Sequence, residues 1–309
     1  MSYSGGAIKL LQPALEDLPR IGDRVAFLLL DQARVEQGRT GLEAWATRDG
    51  EPVRIASPAA QIAVLCLGPG TSITTPAMTT LARSGTVVLF TGADGAITYS
   101  SARPLATDGS WATAQARTWA DPSLRLTAAR RLYQERFPDD PFPDGLALAS
   151  MRGLEGQRIK HTYRRYATQY KIKNFKRVTL RADDPVNVCL NRANALLYGV
   201  ALAVTSALGL SPSLGFIHQG ATGAFLYDLA DVWKPTVSIP AAFEAGSGQN
   251  PTAELGRLLR HRIHTHQVLA RMFALAQDLV GPARLNADAD DRLLNDQGFV
   301  PGLINWHLQ

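Results

Sequence analysis

The sequence predicts an α+β protein: a β-sandwich-like N-terminal domain, then a larger all-α C-terminal domain. Three observations carry this. From about residue 20 to 105, short Val-, Ile- and Leu-rich runs are punctuated by Gly68-Pro69-Gly70 and Gly92-Ala93-Asp94-Gly95, as in small folded sheets. Beyond about residue 105 the apolar residues recur at helical spacing. Between the two lies Ser101–Ser110, rich in Pro, Gly, Ser and Asp, the composition of a boundary. The expected organisation is a β domain over 1–104, a linker over 105–110, a helical domain over 111–280 and a tail over 281–309.

The elements follow in order. Arg24 to Leu30 is a short apolar run. Val35 to Gln37 leads into the turn Gly38-Arg39-Thr40-Gly41, and Leu42 to Thr47 into the turn Arg48-Asp49-Gly50. Gln61 to Leu67 and Thr86 to Phe90 are further strands. Between them a helix is expected over Pro76–Arg83, with Thr75 as its N-cap and Pro at the first helical position. In the second half, Ser123–Arg136 carries Leu124, Leu126, Ala129, Leu132 and Tyr133 at helical spacing. Gly145–Tyr170 continues in helical fashion. Pro185–Leu208 is apolar nearly all round, which requires burial in a bundle. Thr252–Val280 reads as helix. The tail turns polar and acidic, then apolar over Phe299–Trp306. It reads either as a frayed terminus or as a segment that docks on a partner.

Composition excludes several classes. With 46% hydrophobic residues in 309, wholesale disorder is excluded. Cys66 and Cys189 stand 123 positions apart, which is neither a disulfide framework nor zinc spacing. The start, MSYSGGAIKLL, lacks a long apolar segment of the secretory kind. Ala195–Leu210 is short for a membrane span of ~20 residues. There is no Walker-type loop, no GxGxxG before a helix and no GxSxG elbow. The expectation is a soluble cytoplasmic protein with no membrane partner.

The net charge of +5 is mild, but its placement is not. Residues 151–182 hold ten basic residues and one acid, Glu155, a net +9. The remainder holds 22 basic and 26 acidic residues, a net −4. His161, Tyr163, Tyr166, Tyr170 and Phe175 lie among the charges. A cationic stripe interleaved with aromatics suits phosphate neutralisation and base stacking, and equally a solvated helix face followed by a basic loop.

Candidate chemistry concentrates nearby. His218 lies in Gly215-Phe216-Ile217-His218-Gln219-Gly220. Asp228 and Asp231 follow in Tyr227-Asp228-Leu229-Ala230-Asp231, at i and i+3 on one helix face. Carboxylates in so apolar a setting need a base or a metal as partner. Glu155 is flanked by Gly153 and Gly156, two positions where a helix prefers Ala. Each has a plain structural alternative. Glu155 pairs with Arg152 or Arg158, and Asp228 caps a helix near residue 225. Converged, two carboxylates and an imidazole suit Mg²⁺ or Mn²⁺. Such a cation beside a basic stripe is what phosphodiester chemistry needs. His261, His264 and His266 lie among Arg257, Arg260 and Arg262 with no carboxylate at ligand spacing. They read as a solvated or phosphate-facing surface.

Arg152-Gly153-Leu154-Glu155-Gly156-Gln157-Arg158, then Gly215 to Gly220, then Tyr227 to Asp231, in that order, closely resemble the CRISPR-associated endonuclease/integrase family of the adaptation module, in its type I-E branch. Asp23-Arg24-Val25, Gly68-Pro69-Gly70-Thr71 and Leu197-Tyr198-Gly199-Val200 match as well, and the likeness runs from about residue 10 to about 280. The resemblance implies that Glu155, His218 and Asp231 bind Mg²⁺ or Mn²⁺, with Asp228 supporting that shell or the reaction. It implies a homodimer formed through the β domain, with two dimers flanking a dimer of a small ferredoxin-like partner protein. It implies capture of a short foreign duplex with 3′ overhangs. Each 3′-hydroxyl is then joined to CRISPR repeat DNA by transesterification. Arg158, Lys160, Arg164, Arg165, Lys171, Lys173, Lys176 and Arg177 become candidate DNA contacts. Tyr198, Tyr227 and Lys234 match family positions near DNA. The chain departs from the family pattern at Asp31-Gln32-Ala33, where a strand-end-bracing Tyr is expected. It departs again at Gly95-Ala96-Ile97-Thr98, which lacks an expected arginine. The alternative functions are a catalytically inactive DNA-binding scaffold of the same fold, and a metal enzyme acting on a small substrate.

Overall fold

The structure, a computed structural model, describes residues 19, 21–39, 41–48, 51–92, 98–104, 109–179, 182–284, 292–295 and 298–304. The chain divides into two compact units, Met1–Pro104 and Leu105–Gln309.

The first unit contains β1 (Leu28–Leu30), β2 (Ala33–Gln37), β3 (Leu42–Arg48), β4 (Glu51–Ser57), β5 (Val64–Leu67), β6 (Ser72–Ile73), helix α1 (Thr75–Arg83), β7 (Val87–Thr91) and β8 (Thr98–Ala102). They form two four-stranded sheets, ordered β1-β5-β7-β8 and β4-β3-β2-β6. In the first sheet β1, β5 and β7 run parallel and β8 returns antiparallel. The second is an antiparallel meander closed by parallel β6. Leu30, Leu65, Leu67 and Val88 of one sheet share a core with Val35, Leu42 and Ala44 of the other, and with Ala77 and Leu81 of α1. Strand β5 is buried at all four positions. That accounts for its unbroken Val-Leu-Cys-Leu, the pattern of a parallel strand covered on both faces. The same burial, with Asp31 nearby, pushes the Cys66 thiol up to about 12. Arg24 donates to the Ser84 carbonyl at 2.6 Å and the Pro19 carbonyl at 3.1 Å.

Several details differ from the sequence expectation, among them β6 and β8, which were not expected, and β1, which covers only Leu28–Leu30. The strand β4 was not expected. It pairs Thr47 with Pro52, and Pro is tolerated because β4 is an edge strand. Its Arg54 crosses to Glu43 at 2.6 Å and lies over the Trp45 ring. Helix α1 starts one residue early: Thr74 occupies the cap position without a side-chain bond, and Pro76 is inside the first turn. Residues 95–97 of the hairpin segment lie outside the described residues.

The second unit is helical: α2 (Ser110–Ala120), α3 (Pro122–Arg136), α4 (Leu148–Gln169), α5 (Pro185–Leu208), α6 (Ala224–Trp233), a π-helical turn (Lys234–Ser238), α7 (Ile239–Gly246), α8 (Pro251–Thr265) and α9 (Val268–Val280). Caps and Pro fix the starts of α3 and α5. Asp121 accepts from the Ser123 and Leu124 amides at 2.8 and 2.9 Å, and Asp184 from the Asn187 amide at 2.9 Å. Helix α5 ends at Gly209 in the left-handed region. It is long and apolar enough to cross a membrane, but 78% of its most apolar window is buried inside this unit, so it is the core helix. The single helix expected over Thr252–Val280 is two, because Gln267 takes φ 49° and breaks the axis. The tail is not frayed throughout: Arg292–Asn295 pairs antiparallel with Gly298–Ile304. Trp306 lies outside the described residues.

Candidate active site

Asp228 organises the site. Its side chain, on α6, is fully buried. It accepts four hydrogen bonds: from the backbone amides of Phe216 (2.6 Å), Ile217 (3.0 Å) and His218 (3.0 Å), and from His218 Nδ1 (2.7 Å). Three successive amides around one carboxylate form an anion nest, which offsets the cost of burying the charge. The loop closes this tightly because residue 215 is Gly. A Cβ there would stand 2.5 Å from the His218 carbonyl oxygen. Asp228 therefore caps nothing on its own helix, whose N-cap is Gly223. Instead it holds a proton on His218 Nδ1 and leaves Nε2 as the ring nitrogen with a lone pair. The same bond raises the His218 pKa, against the opposing effect of burial.

Glu155 from α4, His218, and Asp228 and Asp231 from α6 line one small cavity with Leu132, Tyr133, Arg136, Ile217 and Val232. Glu155 does not take either sequence-local partner. Arg152 donates to the Ile217 carbonyl and Arg158 pairs with Asp140 at 2.8 Å. Glu155 pairs with Arg136, from the end of α3, at 2.8 Å, and the same Arg136 Nη1 lies 3.6 Å from Asp231 Oδ2. Asp231 also pairs with Lys234, whose Nζ donates to the Tyr198 hydroxyl at 2.9 Å. Burial works to raise the Asp231 pKa, but Lys234 and Arg136 outweigh it and hold it below the usual range. Burial works to lower Lys234, and Asp231 and Tyr198 outweigh it and raise it.

The donor set, two carboxylates and an imidazole, fits a hard divalent ion. Three buried polar atoms of residues lining this cavity lack a hydrogen-bond partner in the protein: the Tyr133 hydroxyl, Arg136 Nε and Asp231 Oδ1, the last held only by its ion pair with Lys234. The cavity is thus built for a polar guest. As the side chains stand, no three His, Cys, Asp or Glu groups among the described residues are close enough to hold one ion. Arg136 lies between the carboxylates.

The basic window resolves into two kinds of residue. Lys160, Arg164 and Arg165 on α4, and Lys171, Lys173 and Lys176 beyond it, are exposed. Arg158 and Arg177 are committed inside the protein. Arg158 sits over the Phe142 ring at 4.1 Å besides its Asp140 pair. Arg177 donates to the Asn187 and Asn191 side chains at 3.1 and 2.7 Å, fastening the basic loop to α5. Lys234 faces Asp231 and Tyr198 rather than the exposed stripe. Tyr227 packs edge-on against both Tyr198 and His218. Arg136 and Tyr133 were missed by sequence reasoning. The available signal was that Arg136 continues the buried stripe of Ala129, Leu132 and Tyr133 on α3.

A strand-rich unit followed by a helical unit is the architecture this chain shares with solved Cas1 structures. The TtCas1–DNA complex superposes with a TM-score of 0.75 at 34% identity, covering 90% of this chain and 100% of that one. A casposase bound to integration product shares the fold, with a TM-score of 0.66 at 17% identity. Residues 144–248 match the family CRISPR associated protein Cas1. A CRISPR-associated endonuclease Cas1 of Thermus thermophilus is 38% identical over 302 residues, 96% of this chain and 90% of its own length. That of Escherichia coli is 28% identical over 275 residues, 86% of this chain and 88% of its own. The chain belongs to the Cas1 family of CRISPR-associated endonucleases.

Proposed function

We propose that this protein is the metal-dependent DNA endonuclease and integrase of CRISPR adaptation. It captures a short foreign duplex with 3′ overhangs and joins each 3′-hydroxyl to CRISPR repeat DNA. The observation that carries the reading is the shared cavity of Glu155, His218 and Asp231, with Asp228 fixing the imidazole, at the root of the helix whose exposed face carries Lys160, Arg164 and Arg165. Glu155, His218 and Asp231 would hold Mg²⁺ or Mn²⁺, which supplies charge neutralisation at the scissile phosphate. Asp228 keeps His218 in the tautomer that offers Nε2. Lys234 and Tyr198 brace Asp231 and, with Tyr227, form the wall on which a strand end would rest. Gly153 and Gly156 leave open space beside Glu155, since a Cβ at either meets nothing within 4 Å. A backbone phosphate can approach α4 closely there. One phosphodiester bond breaks as another forms, so the exchange needs no ATP, and orientation is the main task.

The exposed lysines and arginines of 160–176 would track the duplex. A homodimer working as two pairs on a small ferredoxin-like partner dimer, of the type I-E kind, would present two such sites to the two ends of one duplex. The test is strand transfer: the protein and its partner, with Mn²⁺, a labelled 3′-hydroxyl duplex and a supercoiled repeat plasmid. Joined product is expected, and it is lost with His218→Ala and Asp231→Ala. Joining that survives both substitutions refutes the assignment. Tight, salt-sensitive binding without joining under any divalent ion marks an inactive scaffold instead.

A further inference from the structure

The metal reading leaves Arg136 unexplained. Its side chain is only 6% exposed, and one nitrogen of its guanidinium faces both carboxylates, 2.8 Å from Glu155 and 3.6 Å from Asp231. The two acids come from different helices, α4 and α6; Lys234 pairs with Asp231, whereas the Arg136 guanidinium faces both and is the cation they share. Its donors are nonetheless only partly satisfied. Its Nε is buried with no hydrogen-bond partner, and the rest of the group rests over the Phe137 ring at 5.4 Å. A structural arginine locked for good would satisfy its fork of donors on both sides.

From this geometry we infer that Arg136 is a placeholder cation. It occupies the position between Glu155 and Asp231 that a divalent ion would take, keeps the two carboxylates apart and neutralised while no ion is bound, and must withdraw for the ion to enter. Arg136 is a positioning residue under this inference, and it competes with the metal for the same oxygens. The inference rests on the metal reading above. It explains why three suitable donors line one cavity without standing at a common ligand distance.

The experiment is calorimetric Mn²⁺ binding to the full chain, with thermal melting in EDTA, for wild type, Arg136→Met and Arg136→Lys. Removing the competitor is expected to tighten Mn²⁺ binding about tenfold in Arg136→Met, the equivalent of about 1.4 kcal/mol. The metal-free protein should melt earlier, because Glu155 loses its ion pair and Asp231 keeps only Lys234. Arg136→Lys, a point charge that cannot fork, should fall between. Weaker or unchanged Mn²⁺ binding in the Met variant overturns the inference. If that variant fails to fold, wild-type protein crystallised with and without Mn²⁺ decides. The Arg136–Glu155 contact must open in the loaded form, and a contact that stays closed overturns it. Absence of Mn²⁺ binding in the wild type is a different result, and removes the metal reading itself.

Discussion

Asp228→Asn changes one atom and sets two requirements against each other. The carboxylate accepts on both oxygens: Oδ2 from the Phe216 and Ile217 amides, Oδ1 from the His218 amide and ring. An Asn side chain has one acceptor and one donor group. With its oxygen on the Phe216 side, its NH₂ points at two His218 donors. The ring can then accept only by moving its proton to Nε2, which removes the lone pair a metal would use. With the oxygen on the other side, two buried backbone amides lose their acceptor. Either way at least one buried backbone donor is left unsatisfied, at about 1–3 kcal/mol, so the loop should open about 5- to 150-fold more readily. Loss of a metal-ligating histidine's support typically weakens metal binding about 10- to 100-fold. Hydrogen exchange of a peptide spanning residues 215–220 reads the first effect, and calorimetric Mn²⁺ binding reads the second. Unchanged protection together with unchanged Mn²⁺ affinity would refute the reasoning.

Three further outcomes are expected. His218 is raised by Asp228. In the metal-free protein the protonated pair therefore stabilises the fold below about pH 6.5, and that contribution is lost as pH rises through the raised value. Metal needs the neutral ring, so Mn²⁺ affinity should fall about tenfold per pH unit once pH drops below that value. A flat profile from about pH 5.5 to 8 would count against His218 as a ligand. Arg177→Ala should lower thermal stability by about 1–3 kcal/mol by freeing the basic loop from Asn187 and Asn191. Lys173→Ala should leave melting unchanged but reduce the salt dependence of duplex binding by about one unit of slope. Equal melting points for the two variants would contradict this division. The Cys66 thiol is pushed up to about 12 and Cys189 to about 11, both chiefly by burial. Neither should react with a disulfide reagent at about pH 8 until denaturant is added, and a measurable native thiol titre would contradict their burial.

The sequence carried the fold class because its periodicities are local and change sharply. Helix α5 could be read to the residue from Asp184-Pro185 at one end and Gly209 at the other. Strand β4 could not, since its alternation of Val53 and Ile55 with charged residues follows a turn and contains Pro52. The role of Asp228 was half visible: its apolar neighbours demanded a partner, but only the folded loop shows three amides arriving from residues 216–218. Arg136 was invisible for the opposite reason. Its partners are 19 and 95 positions away, and an arginine closing a helix has an ordinary explanation in the helix dipole. Charge counting along the chain likewise could not separate Arg158 and Arg177, spent on internal partners, from Lys160 and Lys173, which face outward.

Arg177 fastens the basic loop to α5 through Asn187 and Asn191, and Tyr198 lies further along that same unbroken helix. From residue 187 to residue 198 the rise is about 16 Å. A rod of fixed length therefore joins the place where the lysines gather to Tyr198, which reaches the candidate cavity through Lys234 and Asp231. Because the rod is buried on almost every side, it cannot stretch or bend to suit what lies on it. A duplex rises about 3.4 Å per base pair, so the rod equals about five of them. A nucleic acid strand that touches both ends meets a ruler built into the core of the protein, and its length is set by packing rather than by any residue that touches DNA.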